Sequence, residues 1–378
     1  MTILLVATVA ATGLGLDAQR RGGRGRGTST ASPLVKHEVK NAKARQAICN
    51  DGSPLVYFFK AGRDADRRKW IIFFQGGEGC ATDADCRTRW TSQHNLMTTE
   101  GQRPTEVPDG LLSDDPQANP DFASFTHVRV HYCSSDAFAG DTSHTIDGRT
   151  FEFRGHRGID GLLDDLMDSS AVGSSTLRDA TEVLVAGSSA GAMGVQNNLD
   201  HIAERLSWAK VKGVADSGWI PLVQKFGRGS MDVRPDAPEA FDYYHAKPDE
   251  SCVAANPGQA GQCLLGSFEF KYITTPLFIY ADQRDPSHLA SLGISGGPRG
   301  NSEAQAYVQR YMALVRESLK DVPAAFSPIL GAHMALLNER FQGAVIDGHT
   351  FAETLGAWYF GRPGPVKLIA TGSGRRGR

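Results

Sequence analysis

The sequence predicts an α/β domain with a mostly parallel central sheet flanked by helices. Short, β-rich apolar runs at Trp70–Phe74, Val128–Tyr132, Val183–Ala186 and Leu277–Ala281 read as buried parallel strands. Helical stretches lie between them. One apolar face comprises Ile159, Leu162, Leu163, Leu166 and Met167; another comprises Val195, Leu199, Ile202 and Leu206. Strand and helix alternate, the pattern of crossover connections in a parallel sheet. A further helix is expected to begin at Ser302, with Gln305 completing a capping box, and to run to about Lys320.

The chain has 378 residues, 40% hydrophobic and 22% charged, which is enough apolar material for a large core and excludes wholesale disorder. Its formal net charge of −2 provides no basic field for nucleic acid, so no nucleic-acid partner is expected. Ile3 to Leu16 form an apolar run of about 14 residues, too short to span a bilayer and suited to a signal-peptide core. Residues 1–18 are therefore read as a signal peptide, although no Lys or Arg follows Met1, and residues 19–39 as a disordered Arg/Gly-rich linker. Residues 40–368 form the single catalytic domain, and 369–378 a disordered tail. The expected location is secreted or periplasmic, without stable membrane insertion, and monomer is the expected state.

The most informative segment is Val183-Leu184-Val185-Ala186-Gly187-Ser188-Ser189-Ala190-Gly191. A strand runs into Gly-x-Ser-x-Gly and a helix follows. That shape lifts a serine hydroxyl out of the sheet edge, and small neighbours let strand and helix approach. The bare pattern is not specific, because Gly293-Ile294-Ser295-Gly296-Gly297 also matches. Only Ser189 has the strand–turn–helix context. A serine nucleophile needs a base and an orienting carboxylate, in the chain order Ser, Asp or Glu, His. Among downstream histidines, His201 lies inside the following helix and is expected to face solvent. His245 sits in a polar stretch, and His288 and His349 are loop candidates. His333 lies in the small-residue loop Leu330-Gly331-Ala332-His333-Met334. Asp282 and Asp285 both follow the strand Leu277–Ala281, and composition does not choose between them.

From these residues outward the chain resembles the pectinacetylesterase/Notum family of serine carboxylesterases. The matching motifs are Cys49-Asn50-Asp51-Gly52-Ser53-Pro54, Gln75-Gly76-Gly77 before Cys80, and Tyr132-Cys133-Ser134-Ser135-Asp136. Further on come the Ser189 elbow, Ala215-Asp216-Ser217-Gly218-Trp219, Lys320-Asp321-Val322-Pro323-Ala324 and Trp358-Tyr359-Phe360. The resemblance covers about Ile48 to Arg362 and implies an α/β-hydrolase-like fold with loop insertions. It implies a triad of Ser189, Asp285 and His333, with Asp282 as the fallback acid. Backbone N–H groups of Gly77, Glu78 and Ala190 would form the oxyanion hole. It also implies disulfides Cys80–Cys86, Cys252–Cys263 and Cys49–Cys133. No metal or organic cofactor is expected, since no C-x-x-C pair or H-E-x-x-H occurs. His127 and His131 fall on a predicted strand, where their spacing does not converge on one ion.

The departures bear on substrate. Notum-like members carry an aromatic pair after the two glycines; this chain has Gly77-Glu78-Gly79-Cys80. Cys263-Leu264-Leu265-Gly266 stands where they have Cys-Phe-Phe-Gly. Candidate pocket residues are Glu78, Ile220, Leu264 and Leu265. A buried carboxylate beside a fatty chain would cost several kcal/mol, so Glu78 suits a polar substrate or a small acyl group. The expectation is a secreted esterase that removes O-acyl, foremost O-acetyl, groups from an acylated carbohydrate such as pectin. Arg154, Arg157 and Arg284 are candidates to bind a uronate, with a surface salt bridge the commoner fate of such an arginine. The alternative is a Notum-like fatty-acyl (palmitoleoyl) protein deacylase, and other ester substrates remain open.

Overall fold

The computed structural model describes residues 32–173, 175–227, 237–295 and 301–372. The signal-peptide reading, the linker up to residue 31, part of the second Gly-x-Ser-x-Gly copy and the tail from residue 373 lie outside the described residues.

A ten-stranded sheet organises the chain. Its strands are β1 (Leu34–Glu38), β2 (Val56–Lys60), β3 (Lys69–Phe74), β4 (Thr105–Glu106) and β5 (Thr126–Val130). Then follow β6 (Glu182–Ser188), β7 (Lys210–Asp216), β8 (Leu277–Tyr280), β9 (Ala325–Ser327) and β10 (Lys367–Ile369). Their spatial order is β10-β9-β8-β7-β6-β3-β5-β2-β1-β4. From β10 to β5 every pairing is parallel; β2, β1 and β4 extend that edge antiparallel. The mostly parallel sheet is thus present, and all four apolar runs read from the sequence contribute strands.

The sheet is buried on both faces, which explains those near-continuous apolar runs. Alternate residues of β3 point opposite ways. Trp70, Ile72 and Phe74 join the core that includes Leu162, Leu163, Val195, Leu199, Val308 and Met312. These come from α2 (Gly155–Leu166), α3 (Ala190–Arg205) and α5 (Ser302–Ser318), named with α1 (Asp83–Ser92) and α4 (Pro286–Ser291) in chain order. Ile71 and Phe73 join a second core with Leu111, Phe122, Phe351 and Leu355, the last two from α6 (Phe351–Phe360).

Three expectations need correction. Residues 34–38 are not linker: β1 pairs with β2 in the register Val35 opposite Phe59, and Leu34 is fully buried. Five residues beside an Arg/Gly-rich run carry little periodicity, so the strand is defined by its partner rather than by local pattern. At the other end, β10 reaches Ile369, one residue into the expected tail. The cap of α5 is Asn301, whose side chain accepts from Ala304 N, rather than a Ser302–Gln305 box.

Disulfides join Cys49–Cys133, Cys80–Cys86 and Cys252–Cys263, across 84, 6 and 11 residues. Loop-closure entropy predicts about 4.6 kcal/mol from the first and about 2.2 kcal/mol from the second. Denaturant unfolding of the paired alanine variants is therefore expected to show the larger loss for Cys49/Cys133. Equal or reversed losses would contradict this entropic ranking.

Candidate active site

The parallel strands end at one edge, and the chemistry-bearing loops leave from it. After β6 the chain turns through Ser189 at φ 58°, ψ −123°, and α3 begins at once. A β-carbon on Gly191 would overlap Phe74 O, and one on Gly76 would overlap Ser188 O. These two glycines permit the close approach of strand, helix and the loop after β3. Backbone N–H groups of Gly77, Glu78 and Ala190 donate to no acceptor among the described residues, which leaves them available to an oxyanion.

After β8 come two carboxylates with different work. Asp285 is 0% exposed, caps α4 through Ser287 N and His288 N, and accepts from His333 Nδ1 at 2.7 Å. Asp282 instead accepts from backbone N–H groups of Leu330 and Ala332 at 3.1 and 3.0 Å. The geometry therefore favours Asp285 as the imidazole partner and gives Asp282 the loop that carries the histidine.

The other end of that loop rests on Asp216, at the end of β7. Its Oδ2 accepts from Ser188 Oγ at 2.6 Å and from the backbone of Ala335 and Leu336 at 2.8 and 3.0 Å. Ser217 Oγ donates to Asp216 Oδ1 and accepts from Met334 N. The sequence reading named the Ala215–Trp219 motif without assigning Asp216 or Ser217 a role. It also left His288 as a loop candidate. His288 is buried, its Nε2 bonds Ser217 O at 2.8 Å, and it lies 3.9 Å from Asp285 Oδ2.

Electrostatics follow from these contacts. Burial pushes Asp285 upward, but the histidines beside it, His288 and His333, win and hold its carboxyl below the usual range. Burial opposes protonation of His333, yet Asp285, then Asp216 and Glu78, raise it above its usual 6.5. Burial raises Asp216, against the backbone and hydroxyl donors it accepts from. His127 and His131 are each pushed down to about 4, chiefly by burial, and are neutral core histidines.

A cavity of about 1290 Å³ opens over this edge and is lined by Ser189, His333, Gly77, Glu78, Ala190, Ile220, Leu264 and Leu265. Every candidate pocket residue thus reaches it. Ser189 Oγ makes no hydrogen bond among the described residues; such contacts often tighten only with substrate bound. Glu78 is exposed at the cavity wall, so the penalty that a buried carboxylate would carry does not arise. The three arginines do not line the cavity. Arg154 pairs with Asp141 and Glu152, Arg157 pairs with Asp141, and Arg284 is exposed elsewhere.

His201, expected to face solvent, is half-buried and bonds Asp160 at 2.9 Å. With His156 these two offer ligand atoms within 4.8 Å of one another, as do Asp285, His288 and His333. The carboxylates are already engaged, Asp160 by His201 and Arg205 and Asp285 by His333, so no metal is invoked.

A parallel sheet that delivers a serine elbow, a buried carboxylate and a histidine to one edge defines the α/β-hydrolase class. Within it, a pectinacetylesterase family model matches residues 29–372, and the chain belongs to that family. Human palmitoleoyl-protein carboxylesterase NOTUM is 28% identical over 324 residues, covering 82% of this chain. The corresponding notum1a of Danio rerio is 30% identical over the same share. The chain spans 63% of the length of each of these relatives. A structure of the Drosophila Wnt deacylase Notum superposes with TM-score 0.80 at 25% identity, covering 89% of this chain and 96% of that one.

Two outcomes are expected. Asp285→Asn lowers kcat on the order of 10⁴-fold, as loss of the tautomer-holding carboxylate does, whereas Asp282→Asn retains far more activity. Parity between the variants would reverse the two assignments. Separately, kcat/KM should rise with pH to a plateau through an apparent pKa above 6.5, because the base works only when neutral and its neighbours favour the charged form. A profile flat from pH 5 to 8 would contradict that role for His333.

Proposed function

We propose that the protein is a serine carboxylesterase that hydrolyses O-acyl esters through an acyl-enzyme on Ser189. The observation that carries this reading is the 2.7 Å bond from His333 Nδ1 to the buried Asp285 carboxylate, beside a serine on a strained elbow. Because Nδ1 is committed to Asp285, Nε2 is the nitrogen left to take the Ser189 proton. Ser189 Oγ then attacks the ester carbonyl, and negative charge grows on the carbonyl oxygen. The N–H groups of Gly77, Glu78 and Ala190, which have no other acceptor among the described residues, would receive it; one such donor is typically worth roughly 2.7–4 kcal/mol. Imidazolium returns the proton to the leaving alcohol, and water repeats the sequence on the acyl-enzyme.

For the acyl group, the cavity favours an aliphatic chain longer than acetyl. Leu96, Met193, Ile220, Leu264, Leu265 and Leu337 line it, and an acetyl group would leave most of about 1290 Å³ to the rest of the substrate. Release of acetyl from a polysaccharide is the second reading. The family's name favours it, and the cavity would then hold sugar rings. The protein named by the human relative acts on palmitoleoyl-protein esters, which supports the longer chain. Secretion or periplasmic export is supported by the pairing of all six cysteines. No described helix is long and apolar enough to cross a membrane. A monomeric state is part of the same proposal.

A nitrophenyl ester series from acetate to palmitate, run on wild type and Ser189→Ala, tests both levels. Loss of turnover by at least about 10³-fold in the variant is expected; retained turnover would remove Ser189 as nucleophile. A kcat/KM maximum beyond acetate supports the aliphatic reading, and a maximum at acetate favours deacetylation.

A further inference from the structure

Glu78 occupies an unusual place. It stands in the loop that supplies the oxyanion donors, at φ 58° between Gly77 and Gly79, and its side chain is exposed at the cavity wall. A non-glycine residue held there is strained, the kind of outlier that marks ligand contacts. Its carboxylate is also aimed. Gln93 Nε2 donates to Glu78 Oε2 at 3.1 Å. The orientation of that amide is set from below, because Arg89 NH1 donates to Gln93 Oε1 and a guanidinium can only donate. Arg89 is 4% exposed, donates through Nε to Ser135 Oγ at 2.8 Å and lies over the Tyr132 ring. Ser135 Oγ in turn donates to Asn50. A buried chain of polar contacts thus ends on one solvent-facing carboxylate next to the reacting centre.

Among the described residues, none of the other charged groups that line the cavity is hydrogen-bonded or ion-paired to Glu78. Arg129 is paired with Glu106 at 2.7 Å. Asp136 is buried and accepts from Ser134 Oγ, Phe138 N and Gly155 N. Asp85 adds a second carboxylate to the lining, Lys225 a cation with a partner of its own, and His333 the imidazole whose protonation Glu78 favours.

We propose that Glu78 is a specificity-determining residue that sorts esters by charge: it favours substrates carrying a cation near the scissile bond and disfavours those carrying a carboxylate there. This inference rests on the esterase reading above. A uronate ester falls in the disfavoured class and an amine-bearing or quaternary-ammonium ester in the favoured one. Two charges several ångströms apart in a half-solvated cleft interact strongly enough for discrimination on the order of tenfold between cation and anion.

The test uses three near-isosteric alcohols esterified with one acyl group: choline, 3,3-dimethylbutanol and 4-hydroxy-2,2-dimethylbutanoate. Wild-type kcat/KM should fall in that order, with the first and last differing on the order of tenfold at low salt. In Glu78→Gln the ratio should collapse to within about twofold; because the readout is a ratio, a general loss of activity cancels. Raising the ionic strength supplies a second measurement on the unmodified chain. The ratio should shrink while the neutral ester stays constant. A wild-type preference for the carboxylate ester, a ratio unmoved by Glu78→Gln, or one unmoved by salt overturns the proposal. Failure of the wild type to hydrolyse the neutral ester defeats the esterase reading instead.

Discussion

The carboxylate of Asp216 accepts a hydroxyl from the elbow residue Ser188 and two backbone N–H groups from the loop that carries His333. Its own carbonyl accepts from Ser189 N at 2.8 Å. The proposed nucleophile and base, Ser189 and His333, sit on segments far apart in sequence, and this one buried group joins them. Burying a carboxylate is expensive unless donors surround it, and here backbone and hydroxyl donors do. Asp282 holds the near side of the same loop, so the imidazole is carried between two anchored ends. Positioning of that quality matters because small displacements of a reacting group cost large factors in rate.

Strain gathers around the same cavity. Glu78, Ser189, Ser217 and Met334 all have positive φ, each costing of order 1–3 kcal/mol. Ser189 projects from the elbow, Glu78 from the oxyanion loop, and Ser217 and Met334 bond each other beside His333. The two cores on either face of the sheet supply the rigidity that keeps these conformations in place. Electrostatics then take their sign from packing. Asp285 is buried yet held ionised by His288 and His333, and its charge favours the imidazolium that the proposed reaction requires.

Legibility in the sequence followed the range of the interactions. Strands β3, β5, β6 and β8 were readable because burial on both faces leaves unbroken apolar runs. Strands β1 and β10 were not, since LVKHE and KLI acquire their identity from neighbours distant in sequence. Ser189 was legible because its elbow is local. The choice between Asp282 and Asp285 was not local; the loop from Leu330 to Leu336 meets both, and the imidazole of His333 reaches only Asp285. The role of Asp216 was missed for the same reason, and Arg154 and Arg157 take the salt-bridged fate open to any such arginine, with partners Asp141 and Glu152 that do not announce themselves in composition.

The proposed reaction depends on Ser189 being the group that is acylated. Treating the folded protein with a fluorophosphonate and locating the adduct by peptide mass spectrometry measures this without assuming any substrate. The predicted result is a single phosphonyl adduct on the peptide containing Ser189, formed much more slowly in His333→Ala. An adduct on another residue, or none while esterase activity persists, would contradict it.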